Sequence, residues 1–101
     1  MADFSELIEA DRRLVILRCL EEDAGYSLNE SVIQTALEAL GHNVSRDRVR
    51  TDLGWLKEQG LVSLSEVMGV QVAYITPRGA EAARGLIVVP GVKRPRPRCE
   101  S

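Results

Sequence analysis

Residues 45–62 have the sequence SRDRVRTDLGWLKEQGLV, which joins a capped helix to the start of a strand. Ser45 is a residue type favoured at the N-cap of a helix, and Gly60 readily adopts the left-handed conformation that ends many helices. Three apolar residues between them recur at helical spacing and share one face: Val49, Leu53 and Leu56. The segment therefore predicts an amphipathic helix over residues 46–59, followed directly by a strand.

A second helix is expected immediately before this one. Ser27 and Glu30 have the S-x-x-E spacing of a capping box, and Gly41 provides the same kind of stop as Gly60. Only residues 42–44 separate the two predicted helices. Two short helices joined by a tight turn that contains glycine are typical of a helix-turn-helix.

A first helix is predicted over residues 5–22. Its apolar residues recur three and four positions apart and broaden into a stripe that indicates burial on most sides: Leu7, Ala10, Leu14, Val15, Ile16, Leu17 and Leu20. With one Trp, one Phe and two Tyr in the whole chain, the core must be built from aliphatic residues of this kind.

After Gly60 the pattern changes to that of a hairpin and a last helix. Segments 61–67 and 70–75 are rich in β-branched residues, and Met68-Gly69 between them suits a two-residue turn. Thr76-Pro77 has the form of an N-cap followed by proline at the first helical position, so a short helix should follow. The chain is therefore expected to be one small α+β domain with a two-stranded hairpin.

This order of elements resembles that of a winged helix-turn-helix. Residues 56–62 (LKEQGLV) resemble the segment that leads from the recognition helix of bacterial and phage winged-helix regulators into the wing, and residues 74–79 (YITPRG) resemble the segment that closes the wing. The resemblance covers about residues 10–85, and the chain is most similar to the small winged-helix proteins of Mu-like phages and prophages. It implies a transcriptional regulator that binds double-stranded DNA with helix 46–59 in the major groove.

The candidate DNA contacts lie on the outward side and the flanks of this helix, with Arg46 nearer the core side. They are residues that can donate to bases or phosphates, together with one glycine: Ser45, Arg46, Arg48, Arg50, Thr51 and Gly54. Glycine within a helix costs about 1 kcal/mol relative to alanine, so Gly54 suggests close approach of a partner to the backbone. A second interpretation remains open, in which the arginines form a solvated face paired with Asp47 and Asp52.

The C-terminal segment supplies a second group of basic candidates. Residues 1–89 are predicted to form the domain and residues 90–101 a flexible, proline-rich tail with four positive charges: Lys93, Arg94, Arg96 and Arg98. Such an arm can follow a phosphate backbone or enter a minor groove. It can equally serve solubility or meet an acidic partner. Because the predicted hairpin, residues 61–76, has no Lys or Arg, the arm would replace the usual phosphate contact of a wing.

Charge and composition limit the other functions. Residues 1–41 hold nine acidic and three basic residues, whereas residues 42–101 hold six acidic and ten basic ones, so only the second half suits an anionic partner. The chain has no apolar run that could cross a membrane, and its acidic start is unlike a secretory signal, so a cytoplasmic location is expected. One His and two separated Cys offer no metal site, and no catalytic grouping, cofactor motif or effector site is evident.

Two further expectations concern partners. The uncharged hairpin leaves a protein-interaction adaptor on the same fold as the alternative to a DNA-binding protein. Regulators of this type often bind two half-sites as dimers, and the first helix or residues 86–89 could supply the interface of a homodimer.

Overall fold

The structure, a computed structural model, describes residues 3–96 and forms them into four helices and one three-stranded antiparallel sheet. In chain order the elements are α1 (Phe4–Glu22), β1 (Ser27–Asn29), α2 (Glu30–Ala39), α3 (Arg46–Glu58), β2 (Val62–Val67), β3 (Val70–Ile75) and α4 (Pro77–Arg84). The α+β class is as predicted, but the sheet has three strands where two were expected. None of the helices within residues 3–96 combines the length and the apolar character needed to span a bilayer.

Helix α1 begins one residue earlier than predicted because Asp3 and Glu6 form a capping box. The Asp3 carboxylate accepts from the Glu6 amide at 2.8 Å, and the Glu6 carboxylate accepts from the Asp3 amide at 3.1 Å. The buried positions of this helix lie between Arg12 and Leu20. The predicted burial of Leu7 is wrong. The first turns of α1 extend beyond the core, and the Leu7 side chain is 57% exposed.

The predicted capping box of Ser27 and Glu30 is also wrong. Residues 27–29 form β1, which pairs antiparallel with β3 and places Leu28 opposite Ala73. The N-cap of α2 is Asn29, whose side chain accepts from the Val32 amide at 2.9 Å. Pairing with β3 satisfies the backbone of residues 27–29 in an extended conformation, so the helix starts two residues later than the S-x-x-E pattern indicates.

The hairpin of β2 and β3 follows the prediction closely. Its register runs from Val62 opposite Ile75 to Val67 opposite Val70. Met68 and Gly69 form the turn with φ values of 52° and 81°, as a two-residue hairpin turn with both central residues in the left-handed region requires. Strand order β1-β3-β2 makes β3 the central strand.

The core lies between the helices and the inner face of the sheet, and it contains one buried ion pair. Arg12 of α1 meets Asp52 of α3 through Nε–Oδ2 at 2.5 Å and Nη2–Oδ1 at 3.2 Å, with both side chains at most 5% exposed. The alternative interpretation, in which Asp52 pairs with arginines on a solvated face, is wrong for this residue. A buried carboxylate requires such a partner, and the bidentate arginine supplies it.

The chain remains packed beyond residue 89, where the sequence placed the end of the domain. Val89 and Val92 are 3% and 9% exposed, and the Lys93 amide donates to the Ala10 carbonyl of α1 at 3.0 Å. Gly91 lies against the ring of Trp55, and its carbonyl accepts from Arg13 Nη1 at 3.0 Å. These contacts tie residues 89–93 to α1 and α3, so a flexible tail cannot begin at residue 90.

Candidate nucleic-acid interface

Helix α3 is positioned by its cap and by its apolar face. The Ser45 hydroxyl accepts from the Arg48 amide at 3.1 Å, as expected for an N-cap. Val49, Leu53 and Leu56 are fully buried, which confirms the predicted inner face. The candidates from Ser45 to Gly54 lie on the remaining surface of α3. Thr51 and Gly54 lie opposite Val49, whereas Arg48 and Arg50 lie on the two flanks and Arg46 lies toward α2.

Arg46 and Arg48 are exposed at the N-terminal end of α3, and each meets one polar side chain of another helix. Arg46 Nε donates to the Gln34 side-chain oxygen of α2 at 2.8 Å. Arg48 Nη1 lies 4.0 Å from a Glu9 carboxylate oxygen, and its side chain is 48% exposed. Arg46 is held by one neutral hydrogen bond and Arg48 by one long, exposed ion pair. Such interactions are weak, so both guanidinium groups can turn toward a partner.

Arg50 is held much more firmly. Its Nε and Nη2 donate to the two oxygens of Glu30 at 2.7 and 2.8 Å, and Nη2 also donates to the Gly69 carbonyl at 3.0 Å. Glu30 accepts a third hydrogen bond, from the Gln71 amide at 2.7 Å. Arg50 thus joins α3 to α2 and to the turn of the hairpin, and we call the group of Glu30, Arg50, Gly69 and Gln71 the α3–hairpin clamp.

The electrostatics of the clamp follow from the burial of Glu30. Its side chain is 1% exposed, whereas that of Arg50 is 41% exposed. The hydrogen bonds from Arg50 outweigh the effect of burial and, with the Gln71 amide, lower the pKa of Glu30 to about 2. Glu30 is therefore ionised at neutral pH, and the charge of Arg50 is largely committed to it.

Two smaller candidates complete the outer side. The Thr51 hydroxyl donates to the Asp47 carbonyl at 3.0 Å, within the helix itself. A Cβ built on Gly54 would meet no atom within 4 Å, so no packing contact inside the described chain requires glycine there. The open space above Gly54 is what close approach of another molecule would need.

The charge of this surface is mixed. Arg46, Arg48 and Lys57 are exposed on α3, but so are Asp47 and Glu58. The turn of the adjacent hairpin is apolar, with Val67 at 56% and Met68 at 97% exposure. The surface has a basic N-terminal end rather than a uniformly positive face.

The basic residues of the C-terminal segment lie on other elements. Lys93 is bound to α1, where its Nζ donates to Asp11 at 3.2 Å. Arg94 and Arg96 line an open concavity beside the C-terminal ends of α1 and α4. Arg98 lies outside the described residues. Lys93, Arg94 and Arg96 therefore lie beside α1 and α4. They do not lie beside the hairpin, whose missing positive charge the arm was expected to replace.

Sequence analysis missed the partners that decide which arginines are available. Gln34 and Glu30 on α2 hold Arg46 and Arg50, and Arg18 and Arg84 flank the concavity beside Arg96. No local pattern signals these groupings, because their members are at least 12 positions apart along the chain. Only the helical spacing of α2, which puts Glu30 and Gln34 on one side, gave an indication.

Comparison with known proteins gives relatives of similar length. No family model matches the chain. It is 50% identical over 94 residues to the "Uncharacterized protein gp26" of Escherichia phage Mu, an alignment that covers 93% of this chain and 97% of the phage protein. It is also 54% identical over 76 residues to an uncharacterized protein of Haemophilus influenzae strain Rd, with 74% of each chain covered. The chain therefore belongs to the same protein family as gp26 of phage Mu.

Proposed function

We propose that this protein is a winged helix-turn-helix DNA-binding protein, a transcriptional regulator of phage or bacterial origin that places α3 in the major groove of double-stranded DNA. The observation that carries the proposal is the exposed N-terminal half of α3, where the guanidinium groups of Arg46 and Arg48 flank the fully buried Val49. A recognition helix contacts base edges with this part of its outer side.

The arrangement of the elements is compatible with this function. Helices α2 and α3 are joined by residues 40–45, and the β2–β3 hairpin follows α3 directly, in the positions of a helix-turn-helix and its wing. The relationship to a protein of phage Mu supports a phage origin. These two features favour a regulator among the functions open to such a fold.

Within this proposal the arginines divide into two roles. Arg46 and Arg48 are the groups that contact DNA, since each can leave its weak intramolecular partner for a phosphate or a guanine edge. Arg50 is a positioning residue, because its hydrogen bonds to Glu30 and Gly69 fix the hairpin turn relative to α3. Ser45 and Thr51 add hydroxyl groups at the same end of the helix.

We expect the double substitution Arg46→Ala/Arg48→Ala to lower DNA affinity at least about tenfold, because each lost guanidinium removes a phosphate or base contact. Fluorescence anisotropy with labelled fragments of the phage or prophage genome measures this. Affinity of the native protein should also fall as salt is raised from about 50 mM to about 200 mM, and the double variant should show a shallower salt dependence.

Arg84→Ala is the matched control for charge. Arg84 is 58% exposed and pairs with Glu21, away from α3, so its loss lowers the net charge without touching the interface. The control removes one charge and the α3 variant two, so a loss of binding free energy in Arg84→Ala that is half the loss in the α3 variant would mean that net charge alone drives binding. No binding by the native protein at low salt would overturn the proposal.

Gly54→Ala provides a second prediction, in which stability and binding change in opposite directions. With no atom within 4 Å of the added methyl group, we expect the free protein to be stabilised by about 0.5–1 kcal/mol, because alanine favours the helix. DNA affinity should fall several-fold if the partner approaches the backbone at this point. Thermal unfolding, monitored by circular dichroism, measures the change in stability, and the same anisotropy assay measures the change in DNA affinity. An unchanged affinity would mean that Gly54 does not lie in the interface.

The apolar hairpin turn favours a second candidate function, that of a protein-interaction adaptor. Met68 is almost fully exposed, and the clamp binds the adjacent Gly69 to Arg50 of α3. An adaptor would lose its protein partner on Met68→Ser but would be unaffected by Arg46→Ala/Arg48→Ala. A DNA-binding protein that uses α3 would keep its DNA affinity in Met68→Ser and would lose affinity in Arg46→Ala/Arg48→Ala.

A further inference from the structure

Helix α1 has a second apolar face, directed away from the core. Its exposed members lie in the first two turns of α1 and at the end of α2: Phe4, Leu7, Ile8 and Leu40, which are 76%, 57%, 37% and 60% exposed. Farther along the same side of α1, Val15 and Cys19 are half-buried. We call this surface the outer face of α1. Contiguous exposed apolar patches on soluble proteins mark interaction sites.

This face has a projection at one end and a groove at the other. Phe4, the one phenylalanine of the chain, projects from the first turn. The groove, with a volume of about 320 Å³, is lined by Val15, Arg18, Cys19, Glu22 and Leu40. Phe4 precedes Cys19 by four turns, or about 22 Å along the helix, and falls on the same side. The face therefore carries both halves of a self-complementary contact.

We infer that the outer face of α1 binds a second copy of this chain, with the two α1 helices antiparallel. In this arrangement Phe4 of each copy enters the groove of the other, and Ile8 packs against Val15 of the second copy. In a two-fold interface each contact occurs twice. When the two α1 helices are antiparallel and Phe4 of one copy lies level with the groove of the other, the second Phe4 and the second groove also lie level with each other. Antiparallel packing also sets the two helix dipoles in opposite directions.

The charges of the face fit the same arrangement. The first turn of α1 is acidic, with Asp3 and Glu6, and the antiparallel pairing brings Glu6 beside Arg18 at the groove of the second copy. Glu22, the acidic residue of the groove, lies farther along α1, past the level of Asp3. Near the two-fold axis the Asp11 residues of the two copies approach each other. Each Asp11 carboxylate is already compensated within its own copy, because His42 Nε2 lies 2.7 Å from Oδ2 and Lys93 Nζ donates to Oδ1 at 3.2 Å. The repulsion that two bare carboxylates would exert is therefore offset.

Sedimentation velocity of the full chain from about 1 μM to about 300 μM tests the proposal. We expect a concentration-dependent dimer, and we expect Phe4→Glu to raise its dissociation constant at least about tenfold by placing a charge in the groove. Glutamate is favourable in the first turn of a helix, so this variant should keep the circular dichroism spectrum and thermal stability of the native protein. Met68→Glu, which alters an even more exposed apolar residue on the hairpin, away from α1, should leave the dissociation constant of the dimer unchanged.

A cross-linking experiment tests the orientation. In a Cys99→Ser background, Phe4→Cys places a thiol opposite Cys19 of the second copy, and oxidation with diamide should give a disulfide-linked dimer that is lost when Cys19→Ser is added. A native protein that stays monomeric throughout the range, a dimer that tolerates Phe4→Glu, or a cross-link that persists without Cys19 would overturn the proposal. The dimer and the proposed function are tested separately. A monomer that binds DNA would contradict only the dimer, and a dimer that does not bind DNA would contradict only the proposed function.

Discussion

Replacing Gly79 by alanine is expected to destabilise the protein by about 3 kcal/mol or more, enough to lower its melting temperature by at least about 10 °C. Gly79 is buried in the first turn of α4. A Cβ at this position would lie 2.0 Å from the Leu61 carbonyl oxygen and 2.8 Å from Ile75 Cγ1. Both distances are far inside van der Waals contact, so the backbone at the junction of α3 and β2 would have to move.

The Leu61 carbonyl cannot move away at low cost. It accepts a hydrogen bond from the Thr76 amide at 3.1 Å, while the Thr76 hydroxyl donates to the Gly60 carbonyl at 2.7 Å and accepts from the Gly79 amide at 3.0 Å. A shift of α4 would therefore break the cap of α4 and the connection from α3 to the sheet together.

Thermal and urea unfolding of Gly79→Ala, with Gly54→Ala as the matched control, measure this effect. The two substitutions add the same methyl group to a helical glycine, but Gly54 faces open space. We expect changes in the free energy of unfolding of opposite sign. A Gly79→Ala protein as stable as the native one would mean that α4 does not lie this close to the Leu61 carbonyl.

The elements that the sequence predicts well are those whose signals lie within a few residues. Ser45 and Thr76 each cap the helix they precede, and the Met68-Gly69 turn joins two strands that pair with each other. The resemblance of residues 74–79 to the end of a wing also gains a physical basis, because only glycine fits at position 79 against the Leu61 carbonyl. Local chemistry was sufficient to predict each of these.

The features that sequence analysis missed depend on residues far apart in the chain. Residues 27–29 become a strand only because the edge of β3 is available to them, and a three-residue segment has no periodicity of its own. The burial of Asp52 depends on Arg12, forty positions away, and the sequence near Asp52 gives no sign of this partner. Within the candidate interface, the sequence likewise shows no sign that Arg46 and Arg48 each have one weak partner whereas Arg50 donates three hydrogen bonds.

Glu30→Gln is expected to lower the free energy of unfolding by about 2 kcal/mol at neutral pH, because it removes charge-assisted hydrogen bonds from a buried acceptor. The effect should depend on pH in a defined direction. Folding lowers the pKa of Glu30 from its ordinary 4.5 to about 2, so its ionised form stabilises the native state. This stabilisation is fully present at pH values above the pKa that Glu30 has in the unfolded chain. It is lost as the pH falls from about 5 through about 2.

Urea unfolding at pH 7, 5 and 3, with Glu38→Gln as the control, measures this dependence. Glu38 is an exposed carboxylate on the same helix, so its substitution should change stability little at any of these pH values. The difference between native protein and Glu30→Gln should shrink toward the lowest pH. A difference that stays constant or grows would mean that Glu30 does not carry the charge of the clamp.

The same substitution also tests how the clamp organises the candidate interface. Glu30 holds Arg50 and the Gln71 amide at once, so it fixes the hairpin relative to α3 through three hydrogen bonds to one carboxylate. In Glu30→Gln, Arg50 gains freedom and becomes available to an anionic partner, while the hairpin turn loses its alignment. If the rigid alignment of hairpin and α3 matters for binding, DNA affinity falls although a positive charge has been released. If only the positive charge matters, affinity rises, and the sign of the change separates a shape-dependent interface from one that is purely electrostatic.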